Sequence, residues 1–406
     1  MSTMPAQAGE PRLVVDAGDW ERRQTLVTAD WPKEYSAYRS LRDSDGGTIP
    51  IQMNAAGHAS FILPALARGA AKTYELVPAP PSAGPDADEV QAKPEGGVLK
   101  LTAGGRPVLQ YQADKGELPR PDIKPIFARG GFLHPILSPS GKLVSDSYPP
   151  NHLHHHGIWS PWTKAIFEGR ATDFWNMGEG KGTVEFVALD ATWSGPVHAG
   201  FQARHRFVDL TAPEPRVALH ETWVVQVYRA GGAGSGGAGS GSDGHGAVAR
   251  PYWIFDLSIR QECAGPSPLK LPKYHYGGLG FRGNREWDGK GNAFVLTSEG
   301  VTDRLRANES RARWCHIGGQ VEGQLTGLAI LDHPTNFRAP QPMRIHPTEP
   351  FFCYAPSQLG DWAITPEQPY AARYRFIVQD GPPDKAELDR LWNDYAHPPS
   401  VRFEAK

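Results

Sequence analysis

Apolar residues recur at every second position in several stretches of this chain. Val184 and Phe186 share one face of a run that ends near Trp193. Val217, Leu219, Trp223, Val225 and Val227 share a face in the next run, and Trp253, Phe255, Leu257 and Ile259 in the one after it. Another strand reads from Leu325 to Leu331, and Tyr370, Ala372, Tyr374, Phe376 and Val378 mark the last. A period of two puts alternate side chains on opposite faces, so each run packs one face and is polar on the other. That is the signature of antiparallel sheets. Strands do not alternate with helices as a parallel sheet requires, and no fixed-period repeat is present. One segment changes period. Leu388, Leu391, Trp392 and Tyr395 fall at i, i+3, i+4 and i+7 behind Pro382-Pro383-Asp384, which predicts a helix lying on the outside of a sheet.

Two stretches lack any such pattern. Residues 231–246 are glycine and serine with Ala, one Asp and one His, too poor in apolar area to pack. Both flanks read as strands, so this is expected as a long flexible hairpin loop. Residues 78–97 are rich in Pro, Ala and acidic groups. The organisation expected is a disordered tail over residues 1–20 and one β-sandwich domain over residues 21–400. Two domains splitting near Pro121 is the alternative.

Composition narrows the function classes. The chain has 406 residues, with 42 Lys and Arg against 44 Asp and Glu, so no basic surface points to a nucleic-acid partner. No uncharged apolar run reaches the ~18 residues that suggest a membrane span. The first twelve residues lack the apolar core of a secretory signal, which reads as cytoplasmic or already processed. Cys263, Cys315 and Cys353 are odd in number and far apart, which argues against a disulfide framework and a Cys-x-x-Cys zinc site. No dinucleotide fingerprint, nucleophile elbow or His-Glu-x-x-His is present, so no nucleotide cofactor is expected.

The chemistry concentrates in Asn151-His152-Leu153-His154-His155-His156-Gly157. On an extended backbone His152, His154 and His156 would share one face and His155 the other. Imidazoles two apart can meet one divalent metal ion, with His152 and His154 as ligands, or can serve as general acid or base. Asp173 follows in Asp173-Phe174-Trp175 and can orient a histidine through its ring N–H. Trp159, Trp162 and Trp175 can form a stacking platform for a sugar, or simply pack the core. Glu221 sits on an otherwise apolar strand face. Burial there would raise its pKa toward the range useful for proton transfer, unless it pairs with Arg204 or Arg206. His275 and Arg282 lie in the glycine-rich Tyr274–Arg282 turn, whose glycines permit close backbone approach. His134 and His333 are further candidates for contact with a polar ligand.

Five motifs in order resemble one family. They are Leu-His-Pro-Ile-Leu-Ser-Pro-Ser-Gly over 133–141, Asn-His-Leu-His-His-His-Gly-Ile-Trp over 151–159, Asp-Phe-Trp over 173–175, Tyr-Gly-Gly-Leu-Gly-Phe-Arg over 276–282 and Ala-Ile-Leu-Asp-His-Pro-Thr-Asn over 329–336. Together they resemble the bacterial PmoA-like family, labelled "methane oxygenase PmoA", from about Pro121 to the C-terminal helix. That family reads Asp-His-Pro-His-His-Arg-Gly where this chain has Asn151, Leu153 and His156, so only His152, His154 and His155 carry over. A membrane oxygenase subunit needs several apolar spans, and this sequence has none. The resemblance implies instead a soluble β-rich protein of the kind often encoded beside sugar oxidoreductases and sugar isomerases.

The reading is an all-β fold, a large antiparallel β-sandwich of the supersandwich, galactose-mutarotase-like type, with a C-terminal helix. The expected activity is cleavage of a glycosidic C–O bond in a sugar or oxidised sugar, by His-based, metal-assisted β-elimination or hydrolysis. His152, His154 and His155 act with Asp173, Glu221 and His275. His134, Trp159, Trp162, Trp175, Arg282 and His333 bind substrate. The partner is a small carbohydrate, with no nucleic acid and no membrane. Three rival readings stay open: a metal-independent epimerase or mutarotase using one His and Glu221, a noncatalytic carbohydrate-binding protein, and a soluble metal-dependent oxygenase.

Overall fold

A computed structural model describes residues 11–54, 56–78, 89–229 and 250–404. The period-two runs become the long strands of one eight-stranded sheet. In spatial order its strands are Gly182–Trp193, His198–Asp209, Arg216–Tyr228, Tyr252–Cys263, Tyr370–Asp380, Gln324–Asp332, Trp314–Val321 and Ala293–Thr297. A second eight-stranded sheet runs Met343–Ile345, Phe351–Tyr354, Leu279–Arg282, Ile158–Trp159, Phe132–Ile136, Arg106–Gln112, Val98–Ala103 and Val90–Glu95. The strand pairings in both are antiparallel. Between them lies one core, joining Leu101, Leu133, Ile158 and Phe281 from one sheet to Phe201, Trp223, Phe255 and Phe376 from the other. Burying each such side chain contributes about 1.5–3 kcal/mol. The fold is therefore the expected antiparallel sandwich.

The helix forms at Lys385–Ala396, with the Asp384 side chain capping the Ala386 and Glu387 amides at 2.9 and 3.2 Å. Leu388, Leu391 and Trp392 pack on the outer face of the first sheet, against Ile254, Trp314, Leu331 and Ile377. The three cysteines are free.

The expected boundaries need correction. Residues 1–10 lie outside the described residues, but Arg12–Asp16, placed in a tail by the sequence reading, is a strand paired with both Ser400–Glu404 and Ala71–Pro78. Residues from Leu13 to Leu76 build a second, smaller core, including Val15, Val27, Leu41, Phe61, Leu63 and Tyr74. Four of its strands, Arg12–Asp16, Tyr38–Arg42, Thr48–Pro50 and Gln52–Met53, are five residues or shorter, too short for a period-two signal to accumulate. The split near Pro121 does not occur, because Arg106–Gln112 and Phe132–Ile136 pair directly. The Gly/Ser stretch 231–246 lies outside the described residues.

Candidate metal centre

The histidine segment is a turn rather than a strand. The His152 amide donates to the Pro149 carbonyl at 3.0 Å and the His155 amide to the His152 carbonyl at 2.9 Å. That i to i+3 closure puts His152 and His155 on one side, their rings stacked with centroids 4.6 Å apart. The expected grouping of His152, His154 and His156 is thereby overturned. His156 turns inward, stacking on Phe132 at 4.2 Å with Nδ1 3.0 Å from Ser147 Oγ. His154 stands edge-on to His155 at 4.7 Å.

The third partner comes from nearly two hundred residues away. Strand Leu279–Arg282 pairs on one side with Ile158–Trp159 and on the other with Phe351–Tyr354. This carries the turn before Phe351 to the histidines. Gly280 makes the approach possible, since a Cβ there would lie 2.8 Å from the Trp175 ring and 3.2 Å from that of Trp159. Glu349 then lies with its Oε2 3.1 Å from His152 Nδ1. One ligand atom from each of His152, His155 and Glu349 falls within 4.8 Å of the others.

Arg282 and the backbone hold Glu349 in place. Arg282 is fully buried and donates to Glu349 Oε2 and to Asp288 Oδ1, both at 2.8 Å, and to Asn151 Oδ1 at 3.3 Å. It anchors the site rather than facing a substrate, as the sequence reading had it. The turn itself is fastened by Gly289 N to Thr348 O at 2.9 Å and Gly283 N to Pro350 O at 2.7 Å, and by Arg304 donating to the His346 and Glu349 carbonyls.

The nitrogens are available. His155 Nδ1 is buried without a hydrogen-bond partner. His152 Nδ1 faces the Glu349 carboxylate, 3.1 Å from Oε2. Burial pushes the His155 pKa well below its usual value and the His154 pKa down to about 4, so both are neutral near pH 7. Burial would raise the Glu349 pKa, but His152 and Arg282 override it and bring it to about 2. Two imidazoles and a carboxylate suit a divalent ion such as zinc or iron. The site opens at His152, whose side chain is 33% exposed, while the Glu349 side chain is 15% exposed and His155 closes the floor.

Other expected site residues lie elsewhere or act differently. His154, expected as a ligand, stands outside the trio. Asp173 does not orient a histidine: its carboxylate accepts from the Trp175 and Asn176 amides at 2.9 and 2.8 Å and from Thr163 Oγ1 at 2.9 Å. Asn176 in turn donates to Asp173 at 2.9 Å and reaches the Tyr276 hydroxyl at 3.1 Å. Trp159, Trp162 and Trp175 are at most 1% exposed, so none offers a face to a sugar. Trp159 and Trp175 instead pack beneath His155, at 5.1 and 6.0 Å.

Glu221 is sealed 2% exposed in the sandwich, paired neither with Arg204 nor with Arg206. It lies 2.8 Å from His205 Nδ1 and accepts from Gln261 Nε2 at 2.7 Å. His205 Nε2 meets the Tyr111 hydroxyl at 2.7 Å. His134 is occupied by Ser145 Oγ at 2.9 Å. His333 bonds Thr335 Oγ1 at 2.8 Å and packs on Tyr395 of the C-terminal helix at 4.9 Å, away from the trio. His275 is exposed between Tyr274 and Tyr276, at 4.4 and 4.8 Å, and Tyr276 reaches Trp175 at 5.3 Å.

Glu349, Arg304, His346 and Tyr276 were not singled out as site residues from sequence. The available signal was His346-Pro347-Thr348-Glu349-Pro350, a turn carrying two ligand-type side chains. Only the strand order connects it to His152.

Among the described residues no helix is long and apolar enough to cross a membrane. No curated protein matches the chain. Two solved structures share its outline at 11% identity. One is a protein in glycosyl hydrolase family 38 from Enterococcus faecalis, with a TM-score of 0.44, and the other an α-mannosidase from Enterococcus faecalis V583, with a TM-score of 0.45. Each match covers 99% of this chain but only 48% and 46% of theirs, so the chain spans about half the length of these proteins. Residues 98–393, which include every side chain of the trio, match the family of unknown function DUF6807, and the chain belongs to that family.

Proposed function

We propose that this protein is a metal-dependent carbohydrate-active enzyme that cleaves a glycosidic C–O bond by β-elimination or hydrolysis. The observation that carries the proposal is the convergence of His152, His155 and Glu349, one ligand atom of each within 4.8 Å of the others. A divalent ion held there would act as a Lewis acid on a substrate carbonyl or carboxylate oxygen. His154, neutral and beside the trio, would take the proton from the carbon alpha to that carbonyl group and pass it to the departing glycosidic oxygen as the C–O bond breaks. Arg282 keeps Glu349 ionised and in place. Tyr274, His275 and Tyr276 form a partly exposed aromatic ledge that takes the sugar ring in place of the buried tryptophans. The PmoA-like motifs add the association with sugar enzymes. Glu349 is committed to Arg282 and His152, and the neighbouring Asp288 to Arg282, so an ordinary two-carboxylate hydrolysis gains no support.

A second reading rests on the same ligand set. Two histidines and one carboxylate also form the facial triad of non-haem iron oxygenases. The epimerase reading loses its base, because Glu221 is closed off from solvent.

The test uses untagged protein. Elemental analysis comes first, then incubation with simple and keto-oxidised glycosides while an absorbing enone product is followed. Turnover that stops on chelation and returns with added metal is the expected result. Full turnover after complete metal removal would defeat the proposal, and iron with substrate-dependent oxygen uptake would replace it with the oxygenase reading.

A further inference from the structure

His346 sits three residues before Glu349 on the same fastened turn, its ring centroid 6.5 Å from that of His152. Its Nδ1 accepts the backbone N–H of Glu349 at 3.1 Å and that of Thr348 at 3.4 Å. A neutral imidazole carries one proton, and a nitrogen that accepts cannot hold it. The proton therefore resides on Nε2. No hydrogen bond among the described residues uses that nitrogen, and the side chain is not fully enclosed. His346 thus differs in kind from His152 and His155. His152 Nδ1 lies 3.1 Å from the Glu349 carboxylate and His155 Nδ1 has no hydrogen-bond partner, whereas His346 uses its Nδ1 on the turn amides and presents a fixed N–H at Nε2.

We infer that His346 is a preset hydrogen-bond donor, not a metal ligand, and that it selects substrates bearing a carbonyl or carboxylate oxygen at the trio. An oxygen polarised from one side by the ion and gathered from the other by Nε2–H gains most as negative charge develops on it. The substrate class that follows is a sugar whose reacting carbon neighbours a keto or carboxylate group, which is the group elimination needs in order to acidify the C–H. This rests on the metal-site reading above.

Cobalt(II) with acetate separates the two ideas. Asparagine at 346 places its Oδ1 near the position of the histidine Nδ1, so it keeps the acceptor for the turn amides and removes the distal donor. His346→Asn is expected to bind cobalt within threefold of the unaltered protein, by its visible absorption, while acetate affinity falls about tenfold. His346→Gln, whose amide reaches the Nε2 position, is expected to recover part of that affinity. Unchanged acetate affinity in His346→Asn with normal cobalt binding overturns the inference and leaves the metal site standing. Loss of cobalt from a His346→Asn protein with a normal melting curve makes His346 a ligand and also overturns it. Failure of the unaltered protein to bind cobalt removes both.

Discussion

Among the described residues, two histidine–glutamate pairs have opposite fates. His205 and Glu221 lie 2.8 Å apart in the middle of the sandwich, and Tyr111 and Gln261 satisfy their remaining atoms. His152 and Glu349 lie 3.1 Å apart at a partly exposed turn, where the neighbouring His155 Nδ1 has no hydrogen-bond partner. The residue types are alike. What differs is whether the neighbours complete them. A completed buried network fixes the packing of two sheets. The second pair lies at an opening, where a ligand can reach it.

Disturbing each pair in turn should expose that difference. Glu221→Ala leaves His205 and Gln261 without their acceptor in the core and should lower unfolding stability by about 3–5 kcal/mol, read from urea denaturation. Metal affinity of the still-folded fraction should stay within twofold. Arg282→Leu cuts the other way. It frees Glu349 and strands Asp288, and should weaken metal binding about 10–100-fold, the usual cost of losing a group that orients a ligand. A titration followed by cobalt absorption measures it. His154→Ala should change metal affinity less than threefold but abolish enone formation, since His154 stands beside the trio without joining it.

Acid should act on the closed region first. Burial holds His134 and His198 at about 4 and His316 at about 3, so all three stay neutral in the fold at pH 5. In the unfolded chain a histidine takes up its proton near 6.5. Between those values the unfolded state binds more protons, so stability falls as pH drops from about 7 toward 4. The urea midpoint should decline across that range and hold steady from pH 7 to 8. A midpoint that rises toward pH 5 would contradict the burial of these rings.

The contrast also marks what the sequence could disclose. Long strands such as Arg216–Tyr228 and Tyr252–Cys263 were legible because a period of two persists across a dozen residues. The helix was legible from Leu388, Leu391 and Trp392. The histidine cluster was visible as chemistry, but its geometry was not. Extended alternation would have set His152, His154 and His156 on one face, whereas the turn closed on Pro149 stacks His152 on His155, keeps His154 in contact with both and sends His156 inward. Glu349 was hidden for another reason. It meets His152 only because Leu279–Arg282 pairs on both edges, and strand order leaves no local trace. Glu221 drew notice as a carboxylate on an apolar face, yet the same pattern serves a satisfied core network, and only His205 and Gln261 distinguish the two. The short strands from Leu13 to Leu76 escaped because several of them carry only one or two inward residues.

Metal binding by the unaltered protein and by Glu349→Gln decides the central claim most directly. Zinc or cobalt titrated into chelator-treated, dialysed protein should bind at one equivalent per chain in the unaltered form, and at least a hundredfold more weakly in Glu349→Gln. Equal binding by the two proteins, or none by either, would contradict the assignment of His152, His155 and Glu349 as a metal centre.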